Sequence, residues 1–408
     1  MRSVQNPNCR IVITGAGGGR PRGLNLPGLL EPTPENDLIA RTLSGEVGLG
    51  PVPYDTENLD IHIYGLLPKL PPEVLKKAAG KRARRASRWM NPTAQAFLCS
   101  GTAACRESGI LDSEGELTVD PALGSIVSAA DVHDFAYAEL QKVSLDSMMS
   151  AMDDPELLKG IIRLLHAVRR NEPGAKQLLR ELYKTTGSEP RYIKALLDSD
   201  LGQVDAMLRS VSIGGPMALG MATGLTGGMV NITTACEAGF AALQTACDVI
   251  RLGRSKYVLT GSWWRRLGAN SLFGLLAWRS IVSPGKTPDC CRPFDVNRNG
   301  LSPSEGGAMF VIEELQHALQ RGAPILAEVA GMGAATAPQC LVEPNKDAFV
   351  RAMSEALTDA GINPKQIAYM STHATGTVEG DGAEAAAILE VLGEEAKRIP
   401  ITASKGGD

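Results

Sequence analysis

The stretch NITTACEAGF, residues 231–240, sets Cys236 between a run with strand character and a run with helix character. A thiol there faces unpaired backbone N–H groups and the positive end of a helix dipole, and both favour the nucleophilic thiolate. The opposing reading is a small buried side chain, because free cysteine is among the most buried residue types. Cys247, mid-helix on the apolar side, has that second character. His373 follows a strand-like run in STHATGTVEGD, within a loop rich in threonine and glycine. An imidazole in such a loop can exchange a proton near neutral pH or simply bond to local backbone. Thr375 and Thr377 present hydroxyls from the same loop, and Asp381 and Glu384 have the spacing of a capping box for the helix that follows.

These side chains need elements to hold them. RIVIT at 10–14 reads as a short strand ending in glycines, residues 91–110 as a helix, and LGSIVSAA at 123–130 as a strand. MVNITTA at 229–235, a helix over 237–251 and KYVLTGS at 256–262 form a βαβ unit. Further strands are predicted at 307–315, 324–332, 367–372 and 399–404, with a short helix after 315 and longer ones at 346–360 and 380–392. This alternation argues for layered α/β structure with covered sheets. Residues 134–205 differ: they are charged, helical in pattern and broken at Pro155 and Pro173, as a helical insertion or cap would be.

With 408 residues the chain can bury one large or two smaller cores, and its 44 glycines point to tight turns or close backbone approaches. A net charge of −4 gives no general reason to expect nucleic-acid binding. The eight cysteines include no C-x-x-C pair, so neither a zinc site nor a disulfide framework is expected, and a reducing cytoplasmic setting fits. The longest weakly polar stretch, residues 216–230, is too short and interrupted to cross a bilayer as a plain helix.

Four stretches, TTACEAGF, CRPFDVNRNGLSPSEGGAMFVIEEL, STHATGTVEGDGAEAAAI and ITASK, occur in the order and separations found in the β-ketoacyl-acyl carrier protein synthases. Residues 206–408 resemble that family throughout and 1–133 more loosely. The resemblance implies an α/β, thiolase-like, five-layered α-β-α-β-α fold with two similar halves. Residues 1–133 and 206–265 would form the N-terminal half, 134–205 the insertion and 266–408 the C-terminal half. It further implies decarboxylative condensation of an acyl thioester with malonyl-acyl carrier protein. Cys236 would be the acyl-accepting nucleophile and His373 the first catalytic histidine. Thr375 and Thr377 would hold the phosphopantetheine arm, and Lys405 and Glu384 would pair beside the histidine. Asp381 and Glu305 match acidic supporting positions. No cofactor is implied beyond the phosphopantetheine of the carrier protein, which would be the partner, and a homodimer or a heterodimer with a related subunit is the expected assembly.

The sequence departs from the family pattern at several places. The usual His-Gly-Thr-Gly-Thr is His-Ala-Thr-Gly-Thr here, with Ala374 in the loop. Glu237 stands where a small residue is usual, and its carboxylate would raise the thiol pKa unless it points to solvent. SPSEGGA replaces Gly-Glu-Gly-Ala-Gly. The family's second catalytic histidine would fall at about position 410, past Asp408, and the expectation is that a longer chain carries it. The alternatives are a non-catalytic partner subunit of a ketosynthase heterodimer, although such subunits usually lack the nucleophilic cysteine, and another thiolase-superfamily acyltransferase.

Two other motifs are look-alikes. VITGAGGGRPRG resembles a dinucleotide-binding turn, but Arg20 breaks its spacing and Pro21 would interrupt the helix. DVNRNG at 295–300 copies the start of a calcium loop, yet position twelve is Gly306, which makes it a turn. The basic stretch 76–88 is read as a solvated helix face, a nucleic-acid contact, or a docking patch for an acidic carrier protein centred on Arg84 and Arg85.

Overall fold

The computed structural model describes residues 9–21, 23–31, 33, 36–38, 41, 44, 49–51, 63–65, 67–68, 70–83, 90, 92–130, 214–264, 282–337 and 344–407. The insertion expected at 134–205 and the arginines at 84 and 85 lie outside them.

In chain order the strands are β1 (Ile11–Arg20), β2 (Gly23–Asn25), β3 (Leu49–Pro51), β4 (Ile63–Gly65), β5 (Gly124–Ala130) and β6 (Met229–Ile232). They continue as β7 (Tyr257–Trp264), β8 (Gly306–Glu314), β9 (Ala327–Glu328), β10 (Met370–Ser371) and β11 (Ile401–Thr402). The helices are α1 (Pro72–Ala83), α2 (Pro92–Glu107), α3 (Gly214–Thr223), α4 (Ala238–Arg251), α5 (Leu315–Gln320), α6 (Lys346–Ala360) and α7 (Val378–Leu392).

The main sheet runs in the order β2-β1-β8-β7-β5-β6, with β9 also paired to β1. Strands β7, β5 and β6 are mutually parallel, while β8 is antiparallel to both β7 and β1. Because strand side chains alternate between faces, neighbours in sequence enter different cores. Ile126, Leu259 and Val311 pack with Phe97 and Leu98 of α2 and with Leu219 of α3. Val127, Val258 and Ile312 pack on the opposite face with Ala242, Ala246, Cys247 and Ile250 of α4. The sheet is thus covered on both sides, as its continuous apolar runs predict.

The glycine-rich opening is where the sequence expectation stops short. β1 continues through the glycines to Arg20 as a single ten-residue strand instead of ending at 14. A Cβ at Gly15 would lie 2.1 Å from the Ala104 carbonyl oxygen, and one at Gly17 would lie 2.3 Å from that of Ser100. The glycines let α2 settle directly on the strand backbone, a use of glycine distinct from turning the chain.

A buried carboxylate ties the C-terminal end of β8, a central strand of this sheet. Glu313 is fully buried in β8, and Arg321 grips it with Nε and Nη2 at 2.8 and 2.7 Å. Thr14 and His317 also bond to it. Arg321 Nη1 donates to the Ser108 carbonyl at 2.7 Å, so the cluster joins β8 to the end of α2.

The C-terminal elements form a second, smaller parallel pair, β10 with β11, beside α6 and α7. Ile388, Leu392 and Ile399 make their core, packed by Met353, Ile367 and Met370. Helix α6 begins where the Asn345 side chain accepts the Ala348 N–H at 2.8 Å and ends at Gly361 with φ 65°. Only Ala327 and Glu328 of the strand expected at 324–332 are paired as strand. Gly331 and Gly333 lie against the α6 backbone, where a Cβ on either would come within 2.4 Å of a backbone atom.

Candidate active site

Strand β6 ends at Ile232, and the chain turns sharply before α4. Ala235 takes φ 56°, a left-handed value uncommon for a side-chain-bearing residue. A single 3-10 turn, Ala235–Glu237, then leads directly into α4. Cys236 sits in that turn and is exposed. Its sulfur is therefore accessible at the start of a helix, where backbone N–H groups lack intrahelical acceptors. Glu237 is exposed as well. Cys247, in the same helix, is fully buried, and loss of water pushes its thiol up to about 12, so it is core as expected.

His373 lies two residues past the end of β10, and eight of the twelve backbone N–H and C=O groups from 373 to 378 have a partner described below. On the donor side, the N–H groups of His373 and Ala374 go to the two oxygens of Glu384, at 2.8 and 2.7 Å. The Gly376 N–H goes to Asp381 Oδ1 at 3.1 Å. On the acceptor side, Lys405 Nζ donates to the His373 carbonyl. Cys291 Sγ lies 3.5 Å from the Thr375 carbonyl oxygen, and the Gly300 N–H donates to that of Gly376 at 2.9 Å. Arg298 donates to the Thr377 and Val378 carbonyls from Nε and Nη2, at 3.1 and 2.7 Å.

The two carboxylates do this from within α7, which alters the capping-box reading. The helix starts at Val378 with Thr377 at its N-cap, and no side-chain bond caps it. Asp381 and Glu384 sit inside the helix, 1% and 4% exposed, turned toward the loop. A buried carboxylate is tolerated when its oxygens are hydrogen-bonded and a cation is near. Asp381 Oδ2 also accepts the Phe294 N–H at 2.7 Å and lies 4.0 Å from Arg298 Nε. That bond helps to hold Phe294 at φ 60°, a strained value for a bulky residue.

The hydroxyls of Thr375 and Thr377 lie 3.2 Å apart. Gly376 between them has φ 82°, and a Cβ there would lie 2.8 Å from the Gly300 carbonyl oxygen. A Cβ on Gly380 would lie 2.3 Å from Thr377 Oγ1, so that glycine makes room for the hydroxyl. The His373 ring is partly open to solvent, yet the protein around it removes enough water to push its pKa below the ordinary histidine value. The Lys405 ammonium adds to that shift, while Glu384 and Asp381 act the other way. A neutral imidazole near pH 7 can still donate one N–H to a developing oxyanion.

Of the residues singled out in the sequence, His373, Thr375, Thr377, Asp381, Glu384 and Lys405 share one hydrogen-bonded cluster. Cys236 belongs to a different element, at the mouth of α4. Glu305 is buried and accepts the Leu67 N–H at 3.1 Å, so its carboxylate supports another part of the chain. Sequence reasoning passed over Cys291, Phe294 and Arg298, although all three lie in the quoted CRPFDVNRNG stretch.

Residues 194–318 match the N-terminal domain of beta-ketoacyl synthases and residues 326–407 the C-terminal domain, together just over half of the chain. Nodulation protein E of Rhizobium leguminosarum bv. trifolii is 39% identical over 183 residues, 45% of this chain and 44% of that protein. The 3-oxoacyl-[acyl-carrier-protein] synthase 2 of Staphylococcus aureus is 34% identical over 178 residues, 42% of this chain and 43% of that protein. The chain therefore spans less than half the length of these curated relatives. The crystal structure of a beta-ketoacyl synthase from Burkholderia phymatum STM815 superposes with a TM-score of 0.69 at 21% identity, covering 97% of this chain and 80% of that one. That likeness shows the thiolase-like α/β fold expected from the sequence. By its two matched domains and its fold, the chain belongs to the β-ketoacyl synthase family.

Proposed function

We propose that the protein is a ketosynthase that extends an acyl chain by decarboxylative Claisen condensation in fatty acid or polyketide synthesis. In the first half-reaction the Cys236 thiolate attacks the carbonyl carbon of an acyl-carrier-protein thioester. The bond to the phosphopantetheine sulfur breaks, the carrier thiolate leaves and takes up a proton, and the acyl chain stays on Cys236. The N–H of Cys236 faces the oxyanion formed on the way, and one such donor is worth roughly 3–4 kcal/mol. In the second half-reaction a malonyl thioester enters, its pantetheine arm held by the hydroxyls of Thr375 and Thr377. Its carboxylate departs as carbon dioxide, and the electron pair remains as a thioester enolate whose oxygen His373 stabilises. The enolate carbon attacks the acyl-Cys236 carbonyl, the carbon–sulfur bond breaks, and Cys236 is released as thiolate with a β-ketoacyl thioester two carbons longer. Covalent storage divides one hard condensation into two easier steps.

The observation that carries this reading is an exposed cysteine at a helix start combined with a histidine–threonine loop whose backbone is bonded on both sides. The carrier protein would be the partner, with a homodimer or a related-subunit heterodimer as the assembly, a cytoplasmic location and no cofactor of the protein's own. Among the described residues no helix is long and apolar enough to cross a membrane.

Intact-mass analysis after incubation with an acyl-carrier protein tests the proposal. It expects a single acyl adduct, lost in Cys236→Ala. No adduct on the unmodified chain would favour the non-catalytic subunit of a heterodimer.

A further inference from the structure

Arg298 has a particular place in the cluster. It projects from the turn at 295–298, where the Asn297 N–H bonds to Asp295 Oδ1 at 2.6 Å and Arg298 Nη1 closes on the Asp295 carbonyl at 3.0 Å. The first bond orders the backbone that carries the side chain and the second holds its guanidinium folded against the same turn, so less freedom remains to be lost when the other two nitrogens bind. The other two guanidinium nitrogens reach the carbonyls of Thr377 and Val378, where the loop enters α7. The side chain is only 20% exposed; its charge-assisted bond to the Thr377 carbonyl is partly buried, while the one to Val378 is open to water. Its charge also lies 4.0 Å from the Asp381 carboxylate that holds the Gly376 N–H. One guanidinium thus bonds the loop carbonyls directly and neutralises the group that bonds a loop N–H.

We propose that Arg298 is a positioning residue, holding residues 375–378 so that the hydroxyls of Thr375 and Thr377 meet the thioester arm at a fixed place. The proposal rests on the ketosynthase reading for the identity of that arm, whereas the clamp itself does not. Arg298 touches neither Cys236 nor the reacting atoms in this scheme. Both half-reactions bring their thioester on a pantetheine arm, so its loss is expected to impair use of either thioester while Cys236 keeps its reactivity toward a small electrophile that carries no arm.

The test uses the full chain with Arg298→Ala and Arg298→Lys. Hydrogen–deuterium exchange read on peptides covering 373–381 is expected to rise roughly tenfold or more in Arg298→Ala, since charged hydrogen bonds of this kind carry that much discrimination. Peptides within 238–251 should not change, and millimolar guanidinium should restore much of the protection. Arg298→Lys, which can serve one carbonyl at a time, should fall between. KM for the malonyl thioester should rise roughly tenfold in Arg298→Ala, while alkylation of Cys236 by iodoacetamide, which brings no pantetheine arm, should be unaltered when read by mass. Unchanged exchange, unchanged KM, or slowed alkylation of Cys236 would each overturn the assignment. A wild-type chain that fails to condense would remove the ketosynthase reading, and exchange at 373–381 would still decide whether Arg298 holds the loop.

Discussion

Glu384 and Lys405 grip the backbone of His373 from its two sides: the carboxylate accepts the His373 N–H at 2.8 Å, and the ammonium donates to its carbonyl. The family resemblance implies an ion pair between these two charges beside the histidine; the bonds described run from each of them to the His373 backbone. They fix where its ring starts, and they tune its charge in opposite directions.

That opposition is testable by titration. Burial and Lys405 hold the His373 pKa below the usual value, so Lys405→Met should raise it and Glu384→Gln should lower it further. Ring-proton NMR across pH 4–8, a range bracketing the ordinary histidine value of about 6.5, reads both. Because the folded value is the lower one, the unfolded chain takes up the proton first as pH falls. Stability should therefore decline from about pH 6.5 through the folded pKa, and His373→Gln should flatten that part of the curve. A lower pKa in Lys405→Met would contradict this account.

Glu384→Gln also carries a stability cost that surface carboxylates do not. Both oxygens of the buried group accept backbone N–H groups, and an amide can accept with only one end while its NH2 opposes the other donor. A loss of about 1–3 kcal/mol is expected, read as a shift in the urea midpoint at constant slope.

The strand–helix contact gives a third expectation. Gly17→Ala would place a methyl 2.3 Å from the Ser100 carbonyl oxygen and should destabilise by about 1–3 kcal/mol or more. Gly228→Ala, where the nearest atom is Ser125 Oγ at 3.7 Å, is the control expected to stay near wild type. Equal thermal midpoints for the two variants would show that α2 can move away from β1.

Arg321→Met leaves the carboxylate of Glu313 buried without its guanidinium, and a loss of about 3–5 kcal/mol follows. Adding Glu313→Leu should recover part of that loss, because no unpaired charge then remains. A double variant less stable than Arg321→Met alone would argue that packing, not charge, dominates the cluster.

Much of the scaffold was legible in the sequence where one local signal sufficed. Helix α6 occupies the expected 346–360 because Asn345 caps its start and Gly361 its end. The helix after Cys236 begins within a residue of its expected start. The glycines after Ile13 were misleading, because their role is to admit a helix that arrives from residues 92–107. Asp381 and Glu384 have a spacing that suits a cap equally well, and only the inward turn of α7 shows what they bond. Arg298 acts on a carbonyl 79 residues away, a relationship no window of sequence contains.

The loop at 373–378 is written in four separate parts of the chain: its own glycine and threonines, the turn at 291–300, the first half of α7, and Lys405. Residues 301–372 travel out through β8 and α6 and come back without supplying any of the bonds described for it. Changes at the exposed positions of that excursion, such as Leu319 and Leu326, can thus reshape the neighbouring surface while the loop keeps its form, so the scaffold separates what must stay constant from what can diversify.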